Sequence, residues 1–246
     1  MLDPNSPKPL YLQLKEKIRN AIETGEWKPD TKIPSERDLC KQYNVSRITV
    51  RQAISEAENE GLLYKIQGKG TFVKAPKIEQ GLMKITSFGN TLRNSGLNGR
   101  TEIIKSEIMP VNFQLSNILR IDMTEHVVNL RLLGLANEEP IVHYDSYFTH
   151  EIGVKMLEAA QKNAKAGIPF STYDLYGQLN IGADTVSQTF EAINCDAEMA
   201  RILKVKKGTA LLVVTSIVNN HDGKPIEYKT AMYKADKYKF HITRSM

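Results

Sequence analysis

Several features of common protein classes are scarce or missing in this chain of 246 residues. Its two cysteines, Cys40 and Cys195, are too few for a disulfide framework, and no CxxC pair or Cys/His cluster offers metal ligands. The five histidines are scattered, without the HExxH spacing of a zinc hydrolase. No apolar run resembles a signal peptide or approaches the roughly 18 residues that cross a membrane. We therefore expect a reduced, cytoplasmic protein with no metal, no cofactor and no membrane partner.

The bulk composition leaves the class of function open. Hydrophobic residues make up 41% of the chain and charged residues 25%, which argues against a disordered chain or a fibre. The length fits one large domain or two of ordinary size. The net charge of +5 permits an anionic partner without requiring one, since an even distribution of that charge gives a weak field. Whether the partner is an anion such as DNA therefore depends on where the positive charges lie in the fold.

The first 75 residues are predicted to contain three helices. Apolar side chains recur at helical spacing over residues 10–22, and Gly25 is a typical residue just after a helix. Ser35 is predicted to cap a short second helix, and Ser46 a third helix that ends near Gly61. Two short helices joined by about three residues are the geometry of a helix-turn-helix, which places its second helix in the DNA major groove.

The third helix and the segment after it carry groups suited to DNA. Arg47, Thr49 and Arg51 lie on its outer face, where such side chains could reach base edges or phosphates. Residues 62–73 are predicted to form a hairpin whose glycine-rich tip, 68–70, permits close approach to a groove, which makes the unit a winged helix. Each feature alone has an ordinary alternative: a helical hairpin, solvated arginines or a simple turn. The tip is not a phosphate loop, because neither GxxxxGK[ST] nor GxGxxG is present.

Taken together, these segments resemble the DNA-binding domain of the GntR family of bacterial transcription regulators. The match rests on IPSERDL at 33–39, VSRITVRQA at 45–53 and GKGTFV at 68–73, all in register. The resemblance implies a winged helix-turn-helix domain over residues 1–75. It also implies phosphate contacts by Ser35, Arg37 and Thr49, a base contact by Arg47 and a minor-groove contact at the hairpin tip. The complete set of expected DNA-binding residues is Ser35, Arg37, Ser46, Arg47, Thr49, Arg51, Gly68, Lys69 and Gly70.

Residues 76–85 are predicted to be a linker to a second domain. They show no clean periodicity and contain Pro76 and Gly81. Beyond them, over 86–246, short helices alternate with strands, such as the strands at 127–135 and 141–148 around the turn Asn137-Glu138-Glu139-Pro140. Because this pattern lacks strict β-α-β alternation, we expect an α+β domain built on an antiparallel sheet.

This second part resembles the UTRA effector-binding domain of the HutC-type branch of the GntR family, a fold similar to chorismate lyase. The similarity rests on the turn at 137–141, on STYD at 171–174 and on GKPIEY at 223–228. Members of that branch bind small metabolites, often phosphosugars, amino acids or related acids. The resemblance implies an effector pocket lined by Ser87, Phe88, Arg131, Asp145, Ser171, Thr172, Tyr173, Glu227 and Tyr233.

One departure from the branch concerns a phosphate clamp. Relatives that bind phosphosugars carry arginines six and eight residues before the proline of the turn, where this chain has Gly134 and Leu132. Arg131 is the nearest arginine, but a shift of one residue along a strand sends a side chain to the opposite face. Either the strand is bulged and Arg131 compensates, or the pocket lacks this clamp. We therefore expect a sugar, polyol or amine-bearing ligand, with a sugar phosphate still open.

The function expected from both resemblances is regulation of transcription, most often repression. A homodimer would occupy a palindromic operator with half-sites ~34 Å apart, and a small-molecule effector would change its affinity through the linker. An alternative is an enzyme acting on a small acid, with Asp145, Glu227 and Tyr173 in acid–base roles. The fused DNA-binding domain argues against it. A nucleoid-type architectural protein does not account for the second domain.

Overall fold

The computed structural model describes residues 2–82 and 86–244 and divides the chain into two compact units, Met1–Pro76 and Lys77–Met246.

The first unit consists of three helices and a hairpin. Its elements are α1 (Leu10–Glu23), α2 (Glu36–Tyr43), α3 (Arg47–Asn59), β1 (Leu63–Ile66) and β2 (Gly70–Val73). The predicted caps are confirmed: Ser35 Oγ accepts from the Asp38 N–H at 3.2 Å, and Ser46 Oγ from the Thr49 N–H at 3.1 Å. Between these helices Asn44 adopts a left-handed conformation (φ 53°), which ends α2 and turns the chain into α3.

The core of the first unit holds α3 against α1 and α2. Val50, Ala53, Ile54 and Ala57 form the buried face of α3, as the sequence predicts. They pack in one cluster with apolar residues of α1, α2 and the hairpin. Since the buried face of α3 is fixed in this way, its opposite face is held toward solvent.

The second unit is built on a six-stranded antiparallel sheet with the strand order β4-β5-β6-β9-β8-β7. These strands are β4 (Gly99–Pro110), β5 (His126–Ala136), β6 (Glu139–Thr149), β7 (Ala183–Asn194), β8 (Ala210–Asn220) and β9 (Pro225–Lys234). The α+β fold with an antiparallel sheet is therefore confirmed. A separate parallel pair joins β3 (Ile78–Gly81) to β10 (Tyr238–His241).

Helices cover both faces of the sheet. They are α4 (Phe88–Asn94), α5 (Phe113–Leu119), α6 (His150–Lys165), α7 (Thr172–Leu179) and α8 (Ala197–Ile202). The largest apolar cluster joins α4, α6 and α7 to one face, which we call the inner face. Smaller clusters join α5 and α8 to the opposite, outer face.

One boundary differs from the sequence-based expectation. The predicted linker, 76–85, contains β3, which belongs to the second unit, while residues 83–85 lie outside the described residues. β3 pairs with a strand some 160 residues later in the chain, and no local pattern signals such a pairing. Helix α6 begins at His150, and Gly153 in its first turn is a contact point where α6 meets Val128 of β5.

Gly153 generates a test of this packing. A Cβ atom at this position would lie 2.6 Å from Val128 Cγ2, closer than real Cβ contacts come, and 3.1 Å from Phe148 Cβ, which is a tight contact. Gly153→Ala should therefore destabilise the second unit by about 1–2 kcal/mol, although alanine is the better helix former. Gly177→Ala in α7 is the matched control, because nothing lies within 4 Å of its Cβ position. It should stabilise the unit by about 0.5–1 kcal/mol.

Thermal melting of the full chain, followed by tyrosine circular dichroism, measures both changes. The single tryptophan, Trp27, lies in the first unit, and its fluorescence transition should stay unchanged in both variants. Equal shifts of the two variants in the same direction would contradict the close packing at Gly153.

Candidate functional site

The first candidate site is the exposed start of α3 together with the residues around it. Arg47 is the first residue of α3, and both it and Ile48 are exposed, Ile48 to 79%. Thr49 is half-buried, and its hydroxyl lies 2.9 Å from that of Ser46. The capping contacts of Ser46 thus fix the first turn of α3, from which Arg47 and Ile48 project into solvent.

Arginines near this surface differ in how they are held. Arg51 Nε donates to Glu36 Oε2 at 2.8 Å, which ties α3 to α2. In the described parts of the chain, by contrast, no hydrogen bond or ion pair engages the exposed side chains of Arg37, Arg47 and Lys69. Arg37, Arg47 and Lys69 are therefore free to meet an external anion, whereas the Arg51 side chain, 69% exposed, already pairs with Glu36.

The hairpin tip has the backbone that its glycines predict. Gly68 and Gly70 have φ values of +75° and +124°, which side chains rarely allow. Lys69 stands exposed between them, and a Cβ on Gly70 would meet Nζ of Lys32 at 3.1 Å. The tip therefore presents two lysines. The sequence analysis missed Lys32, because only the folded hairpin brings it to the tip.

Negative charge is kept at the far end of α3. Glu60 forms ion pairs with Lys15 and Arg19 of α1, both at 2.6 Å. The hydrogen bond from Lys15 is the main reason why the pKa of Glu60 is lowered. At 1.5 Å per residue, about 20 Å separate Glu60 from Arg47. The first unit carries 13 Lys and Arg against 10 Asp and Glu, so local placement and not net charge makes the start of α3 cationic.

The second candidate site is a cleft on the inner face of the sheet. Two adjoining cavities share Gln80, Tyr173 and Tyr233 and form this one cleft. Its polar and aromatic lining consists of Gln80, Thr86, Phe88, Thr91, Tyr144, Ser171, Tyr173, Gln188, Phe190, Ser216, Lys229, Tyr233 and Phe240. The structure thus brings together four residues predicted for the effector pocket: Phe88, Ser171, Tyr173 and Tyr233.

Thr172 and Glu227 lie directly behind this lining. Thr172 Oγ1 accepts a hydrogen bond from Lys229 Nζ at 2.8 Å. Glu227 is fully buried and accepts from the Tyr176 hydroxyl at 3.0 Å. Burial raises the pKa of the Tyr176 phenol, and the Glu227 carboxylate raises it further, so Tyr176 stays protonated as the donor. Thr172 and Glu227 therefore do not line the cleft themselves. Thr172 holds the lining residue Lys229, and Glu227 holds Tyr176.

A carboxylate fixes the helices that border the cleft. Asp174 Oδ2 accepts from the N–H of Ser171 at 2.6 Å and from its hydroxyl at 2.8 Å. It also lies 3.3 Å from the N–H of Phe88. The carboxylate of Asp174 thus joins the N-termini of α4 and α7. Ser87 caps α4 by accepting from the Asn90 N–H, and it lines a separate open groove.

Arg131 and Asp145 are not brought to the cleft. Leu130 and Leu132 of β5 belong to the inner cluster, so Arg131 between them points to the outer face. There it pairs with Asp145 at 3.2 Å, beside the buried Asn129 and His143. Desolvation lowers the pKa of His143, which keeps the ring neutral. The alternation of side chains along the strands thus places Arg131 and Asp145 on the outer face, away from the predicted residues that line the cleft.

Strand β5 carries no arginine on its inner face, where relatives that bind phosphosugars have their clamp. The register shifts beside β5 place the extra residues on its neighbours, Ile104 of β4 and Ile141 of β6, and β5 itself runs without a bulge. Leu132 and Gly134 therefore keep the inner-face positions, and a Cβ on Gly134 would meet the ring of Phe88. Arg131 does not compensate for the missing arginines.

Other kinds of site find no support among the described residues. No group of three or more His, Cys, Asp or Glu side chains in 2–82 and 86–244 is arranged to hold a metal ion. Within the same ranges, no helix has the length and apolar character needed to span a membrane.

Comparison with known families matches both units. Residues 10–73 match the model for bacterial regulatory proteins of the gntR family, and residues 94–239 match the UTRA domain. The chain is 31% identical to the HTH-type transcriptional repressor NagR of Bacillus subtilis (strain 168), over 97% of this chain and 96% of that protein. It is 26% identical to the mannosyl-D-glycerate transport/metabolism system repressor MngR of Escherichia coli (strain K12), over 95% of each chain.

Solved structures agree with the fold. PhnF from Mycobacterium smegmatis superposes with a TM-score of 0.63 at 20% identity, covering 96% of this chain and 98% of that one. The family and the relatives compared are transcription regulators, which excludes the alternative of an enzyme acting on a small acid. The chain belongs to the GntR family of bacterial transcription regulators, with a winged helix-turn-helix unit followed by a UTRA domain.

Proposed function

We propose that the protein is a repressor that binds a palindromic operator as a homodimer and changes its operator affinity when a sugar-derived metabolite binds the cleft. The observation that carries the DNA-binding part is Arg47, which stands exposed at the first turn of α3 without an internal partner in the described structure. The names of both relatives support repression, and the name of MngR, a repressor of a mannosyl-D-glycerate system, supports a sugar-related ligand. Such a protein acts at the chromosome, and we place it in the cytoplasm.

The geometry of the α3 surface supports the proposed DNA contacts. Arg47 is positioned to donate to a guanine edge in the major groove, and the apolar Ile48 beside it suits a thymine methyl group. Ser35, Arg37 and Thr49 are assigned to phosphates, which fix the position of α3. Lys69, with Gly68 and Gly70, is assigned to the adjoining minor groove. Ser46 acts by capping α3, and Arg51 by bracing α3 against α2.

Arg47→Ala tests the base contact. Losing one bidentate contact should reduce operator affinity by about 1–3 kcal/mol and relax sequence preference at one position. Fluorescence anisotropy with oligonucleotides that the wild-type protein selects from a random pool measures both effects. Arg19→Ala is the matched control, because it removes the same charge at the far end of α3. An affinity of Arg47→Ala equal to that of Arg19→Ala would contradict the assignment.

The cleft is the proposed effector site. It combines aromatic faces with hydroxyl and amide groups, the mixture that suits the apolar faces and hydroxyls of a sugar. A ligand that binds there should change operator affinity by roughly 5- to 150-fold, the range typical of allosteric coupling. A thermal-shift screen against a sugar panel identifies the ligand, and operator titration with and without it measures the coupling. A cleft ligand that leaves operator affinity unchanged would contradict the regulatory role.

Strand β7 supports the homodimer. It is the last strand of the six-stranded sheet, and eleven of its twelve residues are exposed. An open edge of this length is a template for pairing with another chain. Phe190 and Ile193 add exposed apolar surface, at 43% and 41% exposure. We therefore assign β7 to the contact between two copies of the second unit.

Ile193→Lys tests this contact, because a charge on an edge strand opposes pairing. Light scattering after size exclusion should give about twice 27.8 kDa for the wild-type protein and a mass shifted toward 27.8 kDa for the variant. Ile168→Lys, at a residue exposed to 49% outside the sheet, should stay dimeric. A monomeric wild-type protein would overturn the homodimer, and an unchanged Ile193→Lys dimer would move the interface away from β7.

A further inference from the structure

Lys229 is a buried lysine in the cleft of the second unit. Only 2% of its side chain is exposed, although it projects from β9 into the lining of the cavity. Taking an ammonium group out of water is strongly unfavourable unless other groups replace the lost water. The contacts of Lys229 therefore indicate what a ligand would have to supply.

The protein itself compensates this charge incompletely. Lys229 Nζ donates to Thr172 Oγ1 at 2.8 Å and lies 3.3 Å from the centre of the Tyr173 ring. Its nearest carboxylate oxygen, Glu227 Oε2, is 3.8 Å away and already accepts from Tyr176. An ammonium group has three N–H donors, and in the described structure Thr172 is the one hydrogen-bond acceptor that it meets.

Neutral polar side chains stand level with Lys229 on the next two strands, since Ser216 is its partner in register and Gln188 is the partner of Ser216. Gln188 of β7 and Ser216 of β8 line the same cavity, and Gln188 Nε2 lies 3.2 Å from Ser216 Oγ. No carboxylate belongs to the lining formed by the described residues, so Lys229 is its single charged group. The N-terminal turn of α7, where an anion would otherwise bind, is occupied by Asp174.

We propose that Lys229, with Ser216 and Gln188, binds an anionic group of the effector, either a phosphate or a carboxylate carried by a sugar. The inference rests on the proposed function, in that it takes the cleft to be the effector site. The cation comes from β9, at the β7–β8–β9 side of the cleft, and the sugar would extend toward Phe88 and Ser171. An ammonium group in a poorly hydrated site forms strong charge-assisted hydrogen bonds with such an anion.

The test compares charged sugars with their neutral parents. Glucose 6-phosphate and fructose 6-phosphate are titrated beside the free sugars, and mannosyl-D-glycerate beside methyl mannoside. The first set tests a phosphate and the second a carboxylate. Calorimetry on the full-length protein should give a dissociation constant at least tenfold lower for one charged ligand than for its neutral parent.

Variants of Lys229 assign the preference to this residue. Lys229→Met should weaken binding of the charged ligand by roughly 10- to 100-fold and leave the neutral parent unaffected, and Lys229→Arg should retain part of the preference. Lys234→Met is the matched control: Lys234 is equally buried on the same strand, but it pairs with Glu139 and does not line the cleft. Melting curves establish that each variant is folded. If Lys229→Met does not fold, the role of Lys229 is judged from two other measurements. These are the preference of the wild-type protein for the charged ligand and the part of that preference that Lys229→Arg retains.

The results separate this inference from the proposed function. A neutral sugar that binds as tightly as its charged form, or a folded Lys229→Met protein that keeps full affinity for the anion, overturns the role of Lys229. Failure of every charged sugar in the panel to bind at millimolar concentration overturns it as well. If a neutral sugar changes operator affinity, the proposed function stands without an anion site. If an anion binds through Lys229 but operator affinity is unchanged, the anion site stands and the regulatory role fails.

Discussion

The alternation of side chains across the six-stranded sheet is the constraint on which the second unit depends. Successive residues of a strand face opposite sides, so each strand contributes every second side chain to the cleft. This rule places Glu227, Lys229 and Tyr233 of β9 on the inner face with α4, α6 and α7. The same rule sends Arg131 and Asp145 to the outer face, where they pair with each other. The chemistry of the cleft is thus decided by register more than by composition.

The first unit depends on a different constraint, the fixed start of α3. Two serine caps and the left-handed Asn44 determine where α2 and α3 begin and end, and a buried apolar stripe determines which side of α3 faces solvent. Arg47 is consequently held at an exposed helix start, while Arg51 is engaged by Glu36. Two arginines four residues apart therefore differ in their contacts, which their spacing alone does not reveal.

How much the sequence predicts depends on whether the signal is local. Caps, helical periodicity and the glycine hairpin are local, and the winged helix-turn-helix was predicted with its caps and the buried face of α3. The pairing of β3 with β10 and the position of Lys32 under the hairpin tip arise from residues far apart in the chain, and no local pattern marks them. Lys229 has the character of a surface lysine in the sequence, and only its neighbours Thr172 and Tyr173, from α7, make it a buried cation.

In the proposed function, ligand binding in the cleft and operator binding at the α3 surface are coupled through one conformational equilibrium of the protein. Thermodynamic linkage requires that a ligand and an operator change each other's affinity by the same factor. The most direct measurement is therefore the ligand dissociation constant of the wild-type protein, determined by calorimetry in the absence and in the presence of saturating operator. Operator should change this constant by the same factor, roughly 5- to 150-fold, by which the ligand changes operator affinity. A ligand that binds the cleft equally well with and without operator would contradict this coupling.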